Sequence, residues 1–332
     1  MTEQRILNDK SIPALGLGCW AIGGPFFSGD TPLGWGDIDD AVSLRAIACA
    51  VDLGIRFFDT AQVYGAGHSE TILGKALARH PDVLIGTKIG YDFDPATRQL
   101  TGEMHAIHGI TASVEKSLQR LQRDHIDIIH LHLNELSIET AADVFGCLAD
   151  LRQQGKISSF GWSTDFPDRA AAFADMEGFV AIQHAMNVFY RADMLIPTIE
   201  QKGLLSINRS PLAMGLLGGK HDSSTKFDPG EVRGRTATWM DYFEDGRIRP
   251  EYAKRLANIR ELLQSEGRTL VQGALCWLWA RSTSTLPIPG FRNDGQVREI
   301  AGALNFGPLD SSVMIQIEML IDREPEGAPR SR

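Results

Sequence analysis

Short β-like apolar runs alternate with helical patterns along almost the whole chain, and this alternation limits the possible folds more than any other feature. A predicted helix at 41–53 precedes a predicted strand at 55–59, and helix 69–80 precedes strand 83–88. A helix near 110–123 leads to strand 126–132, and helix 138–154 leads to strand 158–163. Helix 166–175 precedes strand 180–184, helix 192–201 precedes strand 204–208, and helix 270–281 precedes strand 285–288. Strands separated by helices form parallel βαβ units. With an early strand at 14–19 there are eight, and 332 residues is the size of a (β/α)8 barrel with insertions. The expectation is an α/β fold, a single (β/α)8 TIM barrel over 1–323 with a frayed tail at 324–332.

The longer loops, 21–40, 91–108 and 218–250, mix aromatics with glycines and charges. Each follows a strand, so in a barrel they gather on the C-terminal face, where sites are built. A net charge of -9 and a pI near 5.5 argue against nucleic acid or an anionic membrane as partner. No apolar run approaches the roughly 18 residues of a membrane span, and MTEQRILNDK lacks the apolar stretch of a signal peptide, so a cytoplasmic location is expected. Cys19, Cys49, Cys147 and Cys276 stand singly and read as reduced core thiols. A small molecule is the expected ligand, and either a monomer or a homo-oligomer is compatible.

An ionisable residue at the end of a buried parallel strand can reach a site on the C-terminal face. Asp59, Lys88 and His132 end three consecutive predicted strands, and Tyr64 lies in the glycine-rich loop after Asp59. Each alone has an ordinary structural explanation, but together they make one chemistry. A phenol has an ordinary pKa near 10, and an ammonium beside it favours the phenolate. Lys88 supplies that charge, Asp59 its counter-charge, and His132 can hold a substrate oxygen beside Tyr64. The set suits protonation of a carbonyl oxygen as a hydride arrives at carbon.

These residues carry a resemblance. FFDTAQVYG, GTK and RLQRDHIDIIHLH are similar to the segments of the aldo-keto reductase superfamily that hold its Asp, Tyr, Lys and His, and the likeness runs through nearly the whole chain. It implies a tetrad of Asp59, Tyr64, Lys88 and His132, with Tyr64 as general acid in NADP(H)-dependent reduction of aldehydes or ketones. His130 takes a place that is often Gln. GKISSFGWSTDF and AIQHAMNVFYR resemble the segments that bind the nicotinamide carboxamide, implying Ser163 and Gln183, with Thr164 where Asn is usual. SPLAMGLLGGK resembles the pyrophosphate loop, implying Ser210, Leu212 and Gly215. IPGFRNDGQVREI resembles the adenosine-phosphate segment, implying Gly290, Phe291, Arg292, Gln296 and Glu299.

Two positions depart from the pattern. Arg209 stands where an aromatic usually stacks on nicotinamide. A guanidinium can stack there too, although its charge disfavours the oxidised ring. Ile300 stands where an Asn often contacts adenine. Arg292 suits a 2′-phosphate, so NADP(H) is expected ahead of NAD(H). The resemblance also places Trp20 near the substrate, and Trp35, Tyr91, Trp239 and Tyr242 are candidate pocket walls for a sugar or aromatic aldehyde.

Other motifs compete less well. GLGCWA has the spacing of a dinucleotide fingerprint, but IGGPFF follows and cannot open the required helix. GLLGGK lacks P-loop spacing. His130 and His132 lie two apart on a strand and could bind the metal of a barrel hydrolase, but Ser163, Gln183 and Asn208 at later strand ends are poor zinc ligands. A non-catalytic nucleotide-binding sensor is the remaining alternative.

Overall fold

A computed structural model describes residues 3–222, 224–236, 240–323 and 325–326. Eight parallel strands follow one another around a barrel in chain order: β1 (Leu17–Gly18), β2 (Phe57–Asp59), β3 (Leu84–Ile89), β4 (Ile126–Leu131), β5 (Ile157–Ser163), β6 (Phe179–Ala185), β7 (Leu205–Arg209) and β8 (Thr285–Pro287). Closure between β8 and β1 comes from the amides of Gly16 and Gly18, which donate to the carbonyls of Pro287 and Pro289 at 3.0 and 2.9 Å. All residues of β2, β3 and β4 are buried, as strands covered on both faces require.

The helices α1 (Asp40–Asp52), α2 (His68–Leu77), α3 (Ile107–Leu121), α4 (Ile138–Gln153), α5 (Pro167–Phe173) and α6 (Ile196–Gln201) alternate with the strands. They are followed by α7 (Pro250–Leu263), α8 (Leu270–Arg281), α9 (Asp294–Gly302) and α10 (Ser311–Leu320). Their starts are chemically marked. Asp39 accepts from the amides of Ala41 and Val42 ahead of α1, and Thr269 and Gln272 close a capping box on α8.

Two layers fill the barrel. An antiparallel hairpin, Gln4–Leu7 with Lys10–Pro13, contributes Leu7 and Ile12 to a cluster with Phe57, Leu84, Ile128, Ala181, Ile207 and Leu286. These residues lie early in their strands, so the hairpin plugs the N-terminal mouth. Residues two apart on a strand face the same way. The interior positions that follow Phe57, Gly86, Ile128 and Ala181 are therefore Asp59, Lys88, His130 and Gln183. A polar layer sits on an apolar floor.

The loops hold more regular structure than their sequence suggests. Stretch 91–108 is not irregular: Tyr91–Asp94 and Gln99–Glu103 form a hairpin, joined through Phe27 and Gln99 to the short strands Phe27–Ser28 and Thr31–Pro32. Helix α3 consequently starts at Ile107 rather than 110. Loop 218–250 carries the antiparallel pair Phe243–Glu244 and Arg247–Ile248, and α7, α9 and α10 went unread. Lys88 and His132 are each one residue from the strand end: β3 runs on to Ile89, and β4 stops at Leu131. Of the tail 324–332, only Pro325 and Glu326 are described. The Glu326 carboxylate accepts from the amides of Arg191 and Asp193 at 2.6 and 2.7 Å.

Candidate active site

Asp59 ends β2 with 2% of its surface exposed, and Lys88 is fully buried on β3. Lys88 Nζ donates to Asp59 Oδ2 at 2.6 Å, to the Thr60 carbonyl at 2.6 Å and to the Tyr64 hydroxyl at 3.3 Å. Three donors on one ammonium thus meet three acceptors. The other Asp59 oxygen accepts from Gln183 Nε2 at 2.7 Å, so both carboxylate oxygens are held.

Tyr64 reaches this point because its loop is pinned. Gly65 has φ +60°, and a Cβ there would lie 1.8 Å from the Gly23 carbonyl oxygen, so only glycine fits. Trp20 stacks on the Tyr64 ring at 5.9 Å and is itself fixed by donating Nε1 to the Leu33 carbonyl at 2.9 Å. His132 meets Tyr64 edge to face at 6.1 Å and Tyr91 at 5.5 Å. The four predicted residues are brought together.

Their electrostatics differ from the sequence expectation in one respect. Burial pushes the Tyr64 phenol above its usual range, and this outweighs the opposing charge of Lys88. Tyr64 is therefore a protonated phenol at neutral pH. Because its oxygen accepts from Lys88, its own hydrogen is left to point elsewhere. Burial opposes a charged Lys88, but Asp59 and Tyr64 together hold it protonated. His132 is pushed well below the usual imidazole range by burial, then by the charges of Lys88 and Arg209. It is a neutral hydrogen-bonding group rather than an acid.

His130 behaves differently from His132. It is fully buried in the polar layer beside Lys88, with both ring nitrogens lacking a hydrogen-bond partner among the described residues, and burial holds its pKa down to about 3. No third His, Cys, Asp or Glu joins this pair in a group able to hold a metal among the described residues.

Tyr64, His132 and Asp59 open onto a cavity of ≈ 820 Å³. Trp20, Trp35 and Tyr91 line it, as do Gln183, Arg209, Ser210, Leu212, Gly215, Gly290, Phe291, Arg292, Gln296 and Glu299. Tyr242 lines it as well, accepting from Asn187 Nδ2 at 2.8 Å, and Trp239 lies outside the described residues. Ile300 is part of the wall. Ser163 is not: it sits buried at the end of β5, in register with Gln183. Thr164 is turned away, its hydroxyl donating to the Asn134 carbonyl at 2.8 Å and accepting from the Phe166 amide at 3.2 Å.

Asp165, Lys220 and Arg233 also line the cavity, and the sequence reading passed over them. Asp165 had a local signal, because it follows Ser163 and Thr164 at a strand end. Arg233 had none. It packs between the Trp35 and Phe227 rings at 4.7 and 4.0 Å and donates to the Met214 carbonyl at 3.3 Å, contacts made only in the folded chain. Arg233 is paired with Glu231 at 2.8 Å, and Asp165, Asp241 and Glu299 line the cavity together with Lys220 and Arg292, so its charges are mixed. Lys220 and Arg292 are the lining cations with N–H groups to offer a phosphate.

Comparison with known proteins agrees with this architecture. The chain is 28% identical to the NADH-specific methylglyoxal reductase of Escherichia coli over 325 residues, covering 94% of this chain and 95% of that protein. It is 25% identical to the Schizosaccharomyces pombe aldo-keto reductase yakc [NADP(+)], covering 93% and 88%. Among solved structures, the glycerol dehydrogenase AKR11B4 from Gluconobacter oxydans superposes with a TM-score of 0.82 at 27% identity, covering 98% of both chains. The sequence model of the aldo/keto reductase family matches residues 14–322, and the chain belongs to that family.

Proposed function

We propose that the protein is an NADP(H)-dependent reductase of small aldehydes or ketones, with Tyr64 as the proton donor. The observation that carries this reading is the Lys88 ammonium, held by Asp59 and in hydrogen-bond contact with the Tyr64 hydroxyl at the cavity wall. The cavity residues fit a nicotinamide nucleotide. Gln183 lies beside the tetrad, Ser210 to Gly215 form a turned backbone segment, and Arg292 with Gln296 stands at the start of α9. Ser210, Ala213 and Met214 all take positive φ, and the Ser210 carbonyl accepts from the Ala213 amide at 2.9 Å and from Asn187 Nδ2 at 3.0 Å, which fixes the turn.

When bound, the reduced nucleotide supplies the hydride to the carbonyl carbon. Tyr64 gives its hydroxyl proton to the carbonyl oxygen, so the carbonyl becomes an alcohol and Tyr64 a phenolate. Lys88 stabilises that phenolate, and Asp59 keeps Lys88 charged. His132, neutral and edge to face with Tyr64, hydrogen-bonds the reacting oxygen. In the reverse direction the phenolate takes the proton back.

Trp20, Phe26, Leu33, Trp35, Tyr91 and Leu100 make the substrate end largely apolar, with Glu103 at its edge. That lining favours neutral aromatic or aliphatic carbonyls over keto acids. Arg292 supports NADPH over NADH. The test is NADPH and NADH consumption against aliphatic, aromatic and sugar aldehydes, with Tyr64→Phe in parallel. Turnover that requires Tyr64 is the expected result, and turnover that survives its loss would overturn the assignment.

A further inference from the structure

Arg209 is the last residue of β7, on the same interior face as Ile207, and its side chain lines the cavity with about a fifth of its surface exposed. Its charge is felt at two members of the tetrad, favouring the phenolate of Tyr64 and disfavouring the imidazolium of His132. A hydride donor must come within about 3–3.5 Å of the carbonyl carbon whose oxygen Tyr64 protonates. Gln183 and Arg209 line the same cavity as Tyr64 and would border the nicotinamide when the nucleotide is bound. Its ring carries a positive charge when oxidised and none when reduced.

Arg209 does not stand alone. Its Nη2 donates to Asp165 Oδ2 at 2.5 Å, and Asp165 is buried to 6% exposure. The Asp165 carboxylate also accepts from the Ala185 amide at 2.9 Å, and its backbone amide donates to Asn134 Oδ1 at 2.9 Å. The carboxylate is therefore held by the Ala185 amide independently of Arg209, and the residue's backbone is held by Asn134. A cation at the nicotinamide wall is thus partly neutralised by an anion built into the β5 turn.

We propose that Arg209 and Asp165 together set the relative affinity for reduced and oxidised nucleotide, Arg209 favouring the uncharged reduced ring and Asp165 limiting that preference. This rests on the reading of the cavity as a nicotinamide-nucleotide site. The two residues act on the charge difference between the redox forms, so neither needs to touch a substrate for the effect to appear. Removing either one shifts the balance in opposite directions, which a purely architectural pair would not do.

The experiment measures dissociation constants for NADPH and NADP+ by quenching of tryptophan fluorescence, at fixed ionic strength, with thermal melting as a check of fold. Asp165→Asn keeps an oxygen for the Ala185 amide and removes the negative charge. It is expected to raise the ratio Kd(NADP+)/Kd(NADPH) by about tenfold, the scale of one charge roughly 12 Å away at an effective dielectric near 20. Arg209→Gln is expected to lower the ratio by at least about tenfold, because its charge is the nearer of the two, and Arg209→Lys to keep it within about twofold of the unsubstituted protein. If Asp165→Asn does not fold, the contrast between Gln and Lys at 209 carries the test alone. A ratio unmoved in Arg209→Gln, or both constants changing equally, overturns the proposal while leaving the nucleotide site intact. If the unsubstituted protein binds neither nucleotide, the reading of the cavity fails and this proposal with it.

Discussion

Gln183, on β6, donates its side-chain amide to Asp59, on β2, at 2.7 Å across the barrel interior. The two residues are 124 positions apart, and strands β3, β4 and β5 lie between theirs in the sheet. Only barrel closure can bring them into contact. Burial pushes Asp59 above the usual carboxylate range, and the bonds from Lys88 and Gln183 oppose that shift. Gln183 therefore helps keep the carboxylate that keeps Lys88 charged.

Gln183→Glu tests this link through pH. When protonated, the new carboxyl donates to Asp59 as the amide does, and when ionised it sets a second negative charge beside the first. The activity of Gln183→Glu should gain a descending limb as pH rises, absent from the unsubstituted protein. Identical profiles of kcat/KM for the two would remove Gln183 from the proton-transfer network.

Tyr64→Phe deletes the donated proton but retains the ring on which Trp20 stacks at 5.9 Å. The expected loss in kcat is about 10²- to 10⁴-fold, with the dissociation constant for NADPH little changed. Parallel rate and fluorescence titrations separate the two effects. A Kd that weakens as much as kcat falls would mean that the hydroxyl serves binding.

Arg292 donates through Nη1 and Nη2 to the carbonyls of Trp35 and Asp37, at 3.3 and 2.5 Å, and stays exposed beside the groove. Its guanidinium has further N–H groups for a 2′-phosphate. Arg292→Leu should weaken NADPH binding by about 10- to 100-fold, the worth of a hydrogen bond to a charged group, and leave NADH within about twofold. Equal weakening of both would assign Arg292 to the loop rather than to the phosphate.

Much of this site could be read from the chain because strand ends carry their own signal. Asp59 closes an apolar run, and Lys88 and His132 stand within one residue of a strand end, so their joint position was legible from polarity to within one residue. The loop after Asp59 was legible as glycine-rich, but that Gly65 must be glycine, because any Cβ there would lie 1.8 Å from the Gly23 carbonyl oxygen, appears only in three dimensions. What stayed hidden depends on contacts between distant segments. Asp165 meets Arg209 across 44 positions, and Arg233 finds Trp35 and Phe227 through loops of no regular period. The hairpin at 91–103 was missed because its strands are only 4 and 5 residues long and partly exposed, and QLTGE carries a single large apolar residue.

His130 and His184 supply the last prediction, which concerns stability. Both are fully buried, and burial is the main cause that holds their pKa values down, to about 3 and about 4. The unfolded chain binds a proton at each near pH 6.5, whereas the folded chain does not until far lower pH. With more protons on the unfolded state, stability rises with pH, so it is complete above about 6.5 and is lost as pH falls through that value. The slope approaches about 1.4 kcal/mol per pH unit for each histidine. Replacing His130 with Gln, a neutral hydrogen-bonding side chain, removes one such group. Urea denaturation between pH 4.5 and 7 should therefore show a shallower acid loss for His130→Gln than for the unsubstituted protein. Parallel curves would mean that His130 takes up its proton in the folded barrel, which would require a partner for its ring nitrogens.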